Sequence, residues 1–267
     1  MLAQSVRSNP DCVLPILSVF LSIIFAVSSI GGSCCRMSGP LTLVYLDIPG
    51  LAEPIRMALR YGGIEFVDRR VGYDEISQMR EDLLLPYGQV PVLQLPDGTY
   101  HGQTGSLLRY AGRLSGLYPE EHQLRIDSIL FVIDDLYKAF IPLWYKHSLG
   151  RNPLTGAFFG GTELTPAQQE AALSAVVEVV LPTRLRQIER DVLNRGEMEL
   201  KQQQQTEGGD FPFVCGKEIS IADLAVLTLI TGLEDGTLCE SVQISIEDYP
   251  VLKQLVGSVR KAMEVEK

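Results

Sequence analysis

The spacing of apolar residues changes near residue 120, and this change limits the possible folds more than any other feature of the chain. Before it, short runs of β-branched and aromatic residues alternate with helical patterns, whereas after it apolar residues recur every three to four positions. We therefore predict an α/β domain over residues 37–119 and an all-helical domain over residues 120–267. A length of 267 residues is ample for two packed units.

The first half contains strand and helix patterns in the order β-α-β-α-β-β-α. Gly and Pro residues separate the segments, and a Pro96-Asp97-Gly98 turn indicates a hairpin between the last two strands. The predicted strands are 41–46, 65–71, 90–95 and 99–100, and the predicted helices are 52–61, 74–85 and 104–114.

The second half has apolar faces at helical spacing throughout. Two segments rich in Gly, Pro and polar residues interrupt the pattern, at 150–164 and 197–210, and we predict them to be loops. The predicted helices are 124–145, 165–193, 221–233 and 250–263.

Charge and composition exclude several classes of function. The formal net charge of −10 repels phosphate backbones, so we expect no nucleic-acid partner. The five cysteines form no C-x-x-C pair and the three histidines are scattered, so we expect no metal site and no dithiol redox motif. With 46% hydrophobic residues, the chain can bury enough apolar surface to fold.

Residues 1–36 form an extension that differs in character from the rest. Residues 13–30 are apolar apart from Pro15 and several serines, a length at the lower edge of a membrane span and within the range of a signal peptide. Three interpretations remain open: a signal peptide, a membrane anchor, or translation that begins at Met37. The first two predict a secretory or membrane-associated protein, in which residues 13–30 contact the membrane. The third predicts a cytoplasmic protein.

Two short segments in the first half have the properties of a ligand site. A proline at the start of a strand is compatible with pairing, and a cis Val90-Pro91 bond would turn the Val90 backbone outward, free to pair with an extended peptide. Gln103-Thr104 stands where a turn enters a helix, so its polar groups meet the positive helix end. This is either a carboxylate pocket or an ordinary N-cap.

Three motifs together indicate a known family. With VYLDIPGLAEPIR, LPYGQVPVLQLPDG and GQTGSLLRYAGRL ahead of a helical second half, the chain resembles the cytosolic glutathione transferases over residues 41–267. It is most similar to their tyrosine-type branch (sigma, pi, mu and alpha), and to the sigma class in particular. The resemblance implies a thioredoxin-like βαβαββα domain that binds glutathione, an all-helical domain that lines the electrophile pocket, and a homodimer.

The resemblance also implies roles for individual residues. Tyr45 matches the catalytic tyrosine, which donates a hydrogen bond to the glutathione thiolate and so favours its ionised form. Its alternative role is an aromatic core residue of the strand. The residues implied to bind glutathione are Tyr45, Gln89, Val90, Pro91, Gln103 and Thr104 of one subunit, Asp135 of its partner and, more weakly, Arg80; Ile48, Ile141 and Tyr145 match the electrophile pocket.

Some residues depart from the family pattern. Leu51 stands where several classes have an arginine near the thiol, and Asp82 stands where a basic residue usually binds the glycyl carboxylate. Ser220-Ile-Ala-Asp223 matches the family's helix-capping box, whose role is in folding.

We therefore expect a glutathione transferase that joins the thiolate of glutathione to small hydrophobic electrophiles, or isomerises or reduces them. Glutathione is the expected co-substrate, and no metal is expected. The alternative is a non-catalytic binding or structural protein with the same fold, as in the crystallins related to the sigma class. The apolar pocket residues do not identify the electrophile.

Overall fold

Four strands form a mixed sheet in the order β2-β1-β3-β4. In the computed structural model, which describes residues 40–148, 165–202, 213–238, 242 and 244–265, β1 pairs with β2 in parallel and with β3 antiparallel, and β3 pairs antiparallel with β4. The strands are β1 (Leu41–Leu46), β2 (Phe66–Val71), β3 (Val92–Gln94) and β4 (Tyr100–Gly102).

Helices α1 to α3 belong to the half that contains the sheet, and α4 to α8 form the helical half. Between α5 and α6, the segment Val176–Val180 is a π-helix, and short 3₁₀ turns precede α1, α4 and α8. The helices are α1 (Glu53–Tyr61), α2 (Tyr73–Glu81), α3 (Thr104–Ser115), α4 (Gln123–Ser148), α5 (Pro166–Ala175), α6 (Leu181–Gln202), α7 (Ile221–Glu234) and α8 (Pro250–Val265).

This architecture confirms the predicted fold class, a thioredoxin-like βαβαββα arrangement followed by helices. The contacts divide the chain into residues 1–38 and residues 39–267. The boundary predicted at 119–120 falls at the 3₁₀ turn Glu120–His122, just before α4, and stays a prediction.

Two predicted boundaries were wrong for local reasons. Helix α2 ends at Glu81, earlier than expected, because Leu83 adopts a left-handed conformation with φ 57° that terminates the helix. Helix α6 continues to Gln202, so the first part of the predicted loop 197–210 is helical. Residues 197–202 (EMELKQ) are strong helix formers, which accounts for the continuation.

Helix α7 is the central element of the core. It packs against α1 and α3 of the first half and against α4 and α8 of the second. Its first residues are fixed by Asp223, whose carboxylate accepts hydrogen bonds from the Ser220 N–H (2.8 Å), the Ser220 hydroxyl (2.7 Å) and the Val214 N–H (2.7 Å). These bonds satisfy backbone donors at the helix start, as the sequence predicts.

Several sequence predictions lie outside the described residues. These are the apolar run 13–30, the loop 150–164 and most of the loop 197–210. Among the helices that the structure describes, none combines the length and apolar character needed to cross a bilayer.

Candidate active site

The predicted glutathione-binding segments meet at one end of the sheet. In the strand register, Val44 of β1 lies opposite Val92 of β3, which lies opposite Gly102 of β4. Because these pairs are antiparallel, the next positions toward this end are Tyr45, Pro91 and Gln103 on three neighbouring strands. The sheet therefore brings together the three motifs that stand far apart in the sequence.

Tyr45 is buried, with 6% of its surface exposed. Its hydroxyl oxygen accepts a hydrogen bond from the Leu51 N–H (3.3 Å), and the hydroxyl proton has no acceptor among the described residues. Burial raises the pKa of Tyr45 to about 12, against the smaller lowering effects of the Leu51 hydrogen bond and the Arg56 charge. The phenol is therefore protonated at neutral pH and able to donate.

Gly50 allows the loop after β1 to pass close to this hydroxyl. Its φ of +45° is left-handed, and a Cβ at this position would lie 2.8 Å from Tyr45 Oη. Glycine is required here both by conformation and by the close approach. It leads directly into Leu51, whose N–H reaches the phenol.

Arg56 lies behind the same loop and is fully buried. Its guanidinium donates to the carbonyls of Ile48 (2.9 Å) and Pro49 (3.1 Å), and at 3.5 Å to that of Leu46. It also donates to Asp68 on β2 and to Glu53 on α1, both at 3.0 Å. The guanidinium carbon lies 5.8 Å from the centroid of the Tyr45 ring.

The sequence analysis did not identify Arg56 as a site residue. The sequence did contain a signal for it: Arg56 stands between Ile55 and Met57, on a helix whose other buried residues are apolar. Arginine is almost never fully buried unless it is paired.

The segment before β3 has the predicted backbone conformation. The Val90-Pro91 peptide bond is cis, and Val90 lies in a bend outside the strand pairing. Gln89 is half-buried beside it. The Arg80 side chain donates from Nε to the Gly88 carbonyl (2.6 Å), so it contacts this segment directly. Asp82 instead accepts from the Gln78 side chain at the end of α2.

Gln103 occupies the N-cap position of α3 with φ 73° and ψ 107°, and its side chain makes no capping hydrogen bond. A non-glycine residue at positive φ is uncommon, and such strain clusters at functional sites. Thr104 is the first helical residue, so the alternative interpretation of Thr104 as the N-cap was wrong. The Gln103 side chain is exposed, next to the positive end of a twelve-residue helix.

The residues predicted on α4 are only partly described. Asp135 is half-exposed, with Arg184 at 3.8 Å and Lys138 at 3.9 Å in the same chain. The side chains of Ile141 and Tyr145 lie outside the described part of the structure. Of the predicted pocket residues, Ile48 is described: it lies in the loop after β1 with 40% of its surface exposed.

Tyr137, four residues before Ile141 on α4, is a further candidate that the sequence analysis missed. Its side chain is buried, and burial followed by the electrostatic effect of Tyr45 raises its pKa. The Tyr45 phenol on β1 therefore lies near enough to act electrostatically on the Tyr137 phenol on α4. Spacing by four along the predicted helix from Tyr145 and Ile141 was the signal that could have found it.

No group of three or more potential metal ligands is present among the described residues.

Comparisons with known proteins agree with this fold. The family model for the glutathione S-transferase C-terminal domain matches residues 152–267. Glutathione S-transferase A3 of Mus musculus is 26% identical over 234 residues, which cover 86% of this chain and 89% of the relative. Glutathione S-transferase 2 of Manduca sexta is 37% identical over 104 residues, 38% of this chain and less than half of the relative.

Solved structures share the fold. A prostaglandin synthase D of Nilaparvata lugens aligns with a TM-score of 0.62 at 21% identity, over 85% of this chain and 96% of its own. A sigma class transferase of Fasciola hepatica aligns with a TM-score of 0.60 at 23% identity, over 84% and 91%. At such identities these two structures show the fold alone. Together with the family model and the mouse relative, they show that this chain has the glutathione S-transferase fold.

Proposed function

We propose that this protein is a glutathione transferase of the tyrosine type. The observation that carries the proposal is the Tyr45 hydroxyl: it is buried, protonated at neutral pH, and has no acceptor for its proton among the described residues. In this proposal the acceptor is the sulfur of glutathione. Names of relatives support transferase activity, and the site geometry supports the role of Tyr45.

The chemistry requires a hydrogen-bond donor rather than a base. A thiol with a pKa of about 8.5 is mostly protonated at neutral pH, and a donor to the sulfur favours the thiolate, which is the nucleophile. Lowering that pKa by about 2 units corresponds to about 2.7 kcal/mol, within the range of charge-assisted hydrogen bonds. The thiol proton leaves to solvent, and the thiolate forms a C–S bond as it displaces a leaving group such as halide or adds to an activated double bond; the Tyr45 proton stays on its oxygen.

The rest of glutathione follows the end of the sheet. Its extended peptide part pairs with the Val90 backbone beside Pro91 and Gln89, and its γ-glutamyl carboxylate meets Gln103, Thr104 and the start of α3. Arg80 donates to the Gly88 carbonyl through Nε. Its two terminal nitrogens are the proposed partners of the glycyl carboxylate of glutathione. The absence of a basic residue at Asp82 makes this the weakest contact of the site.

The electrophile pocket and the dimer are also proposals. Ile48 of the loop after β1 and the α4 series Tyr137, Ile141 and Tyr145 would line the pocket, opposite the thiol. Asp135 would bind the γ-glutamyl amino group of the neighbouring subunit in a two-fold homodimer. The carboxylate itself is 54% exposed, and its two cations in the same chain, Arg184 and Lys138, lie 3.8 and 3.9 Å away, so it is accessible. The sigma class is the proposed branch.

Binding and turnover test the proposal separately. The chain should be retained on immobilised glutathione, eluted by free glutathione, and should conjugate a chromogenic electrophile. Retention without turnover on a panel of haloarene, enal and peroxide substrates would favour a non-catalytic, crystallin-like role. A failure to bind glutathione would contradict both the transferase function and a non-catalytic glutathione-binding role.

A further inference from the structure

Arg56 is fully buried and lies next to the proposed catalytic residue, Tyr45. Arg56 donates to three carbonyls directly after Tyr45, that of Leu46 at the end of β1 and those of Ile48 and Pro49 in the following loop. The hydrogen bond to the Leu46 carbonyl is buried, and those to the Ile48 and Pro49 carbonyls are partly buried. Loss of the donor would leave the buried Leu46 carbonyl without this partner and would release the two loop carbonyls, so we expect the loop to loosen.

The loop that Arg56 holds determines the surroundings of the phenol. It continues into Gly50, which lies against the Tyr45 hydroxyl, and into Leu51, whose N–H donates to it. A shift of this loop would displace the Leu51 N–H, which donates to the phenol oxygen, and would change the direction of the hydroxyl proton. Hydrogen bonds weaken steeply with angle, so a small movement is sufficient.

Arg56 is itself held by two carboxylates. Asp68 on β2 and Glu53 on α1 each accept at 3.0 Å. Burial acts to raise the pKa of Asp68, but hydrogen bonds from Arg56 and Arg70 outweigh it and hold the pKa below its usual range. Arg70 also bonds Asp47 of the same loop (2.8 Å). We call Arg56, Glu53, Asp68 and the three loop carbonyls the Arg56 cluster.

The guanidinium also places a positive charge near the phenol, 5.8 Å from the ring centroid. Among the described residues, Arg56 is the cation whose charge acts on Tyr45. Leu51 stands where the resemblance implies an arginine near the thiol in several classes, and a leucine supplies no charge there. A cation near a phenol makes its hydroxyl a better donor.

We propose that Arg56 is a positioning residue for Tyr45: its cluster fixes the loop 46–51 so that the phenol proton points at the sulfur, and its charge replaces that of the missing arginine. The inference rests on the proposed glutathione transferase function. It assigns a chemical effect to a side chain that does not itself touch the substrate.

Three variants separate position from charge. Arg56→Met removes both the planar set of N–H donors and the charge. Arg56→Lys keeps the charge without that set of donors. Asp68→Asn leaves Arg56 in place but weakens the hydrogen bond that holds it. Arg60→Met is the matched control: Arg60 lies on the same helix near the same two carboxylates, at 3.8 and 3.9 Å, but is 52% exposed.

The first measurement needs no glutathione. Hydrogen exchange of the backbone amides of residues 46–52 should accelerate about tenfold or more in Arg56→Met, less in Arg56→Lys and Asp68→Asn, and about twofold at most in Arg60→Met. Unchanged exchange in both Arg56→Lys, which keeps the charge, and Asp68→Asn, which keeps the arginine, would overturn the positioning role. This result is decisive even if Arg56→Met fails to fold.

The second measurement is the thiolate absorbance of bound glutathione against pH. We expect the thiol pKa to rise by about one unit in Arg56→Met, from about 6.5 to about 7.5, which lowers the thiolate fraction at pH 7 about threefold, and to rise by less in Arg56→Lys. Glutathione affinity should change about threefold at most, because the cluster does not contact the peptide. Faster exchange with an unchanged thiol pKa would overturn the proposal. A wild-type protein that binds no glutathione would instead overturn the proposed function, and the exchange result would still decide whether the cluster holds the loop.

Discussion

At the scale of single residues, the site depends on how closely the chain approaches one hydroxyl. Tyr45 Oη is bounded by the Leu51 N–H and by Gly50, with the Arg56 charge behind. These neighbours come from one short loop after β1 and from the helix that follows it. The phenol is buried enough to stay protonated at neutral pH, so its hydroxyl can donate a hydrogen bond.

Gly50→Ala should therefore damage activity more than stability. The added methyl group would lie 2.8 Å from Tyr45 Oη, in a left-handed conformation. We expect turnover to fall about tenfold or more and the free energy of unfolding to fall by about 1–3 kcal/mol. Steady-state kinetics and denaturant unfolding measure the two effects.

Gly63→Ala is the matched control, since Gly63 also has a left-handed φ of +62°, but a Cβ added there would meet nothing within 4 Å. It should show a similar loss of stability with normal turnover. If both variants lose activity equally, the contact between Gly50 and the phenol is not important for the reaction.

At the scale of elements, carboxylates fix the starts of two helices, one from within the helix itself and one from a neighbouring helix. Asp223 binds the start of α7, and Glu189 of α6 accepts from the Val251 N–H (2.9 Å) and the Leu252 N–H (3.4 Å) at the start of α8. The first donors of a helix have no partner within it, so such contacts join elements far apart in the sequence.

Glu189→Ala should lower the free energy of unfolding by about 1–3 kcal/mol, because it leaves buried donors unsatisfied. Glu189→Gln keeps an acceptor oxygen and should lose less. Glu247→Ala, which breaks an exposed pair with Lys253 near the same helix end, should change it by about 0.5 kcal/mol at most. Urea unfolding measures all three, and equal losses in Ala and Gln variants would point to charge rather than hydrogen bonding.

The Asp223 carboxyl predicts a pH dependence. Burial, opposed by its three hydrogen bonds, raises the pKa of Asp223 from 3.8 to about 6. The folded protein therefore holds this proton more tightly than the unfolded chain, and the resulting stability is present below pH 4 and is lost as pH rises through about 6.

Asp223→Asn lacks this titration, so the wild type should lose stability relative to the variant between about pH 4 and about pH 7. Urea unfolding across that range measures the difference. A difference that stays constant, or that grows in favour of the wild type as pH rises, would show that the carboxylate is ionised in the folded state without penalty.

At the scale of the whole molecule, the order of elements followed from the sequence. The change in apolar spacing near residue 120 separated strand and helix patterns correctly, because each period reflects which face packs on the core. The sequence did not predict Arg56, since an arginine within an apolar helix face is normally exposed and its acceptors lie on other segments. The positive φ of Gln103 and the coupling of Tyr137 to Tyr45 likewise depend on tertiary packing.

The proposed homodimer gives a prediction at this scale. If Asp135 binds glutathione of the neighbouring subunit, the protein should be a dimer by light scattering at micromolar concentration. Asp135→Asn should weaken glutathione binding by about tenfold, the loss of one charged contact, without dissociating the dimer. Asp134→Asn, one position away and paired with Lys138, is the control and should bind normally. A fully active monomer would contradict the prediction.

The central claim is that Tyr45 donates a hydrogen bond to the thiolate of glutathione, and titration of bound glutathione by its thiolate absorbance tests it most directly. In the wild type, the thiol pKa should lie about 2 units below the free value of about 8.5. In Tyr45→Phe it should return close to that value, and turnover at neutral pH should fall by roughly one to three orders of magnitude with little change in glutathione affinity. The same thiol pKa in both proteins would contradict the claim and remove Tyr45 from the mechanism.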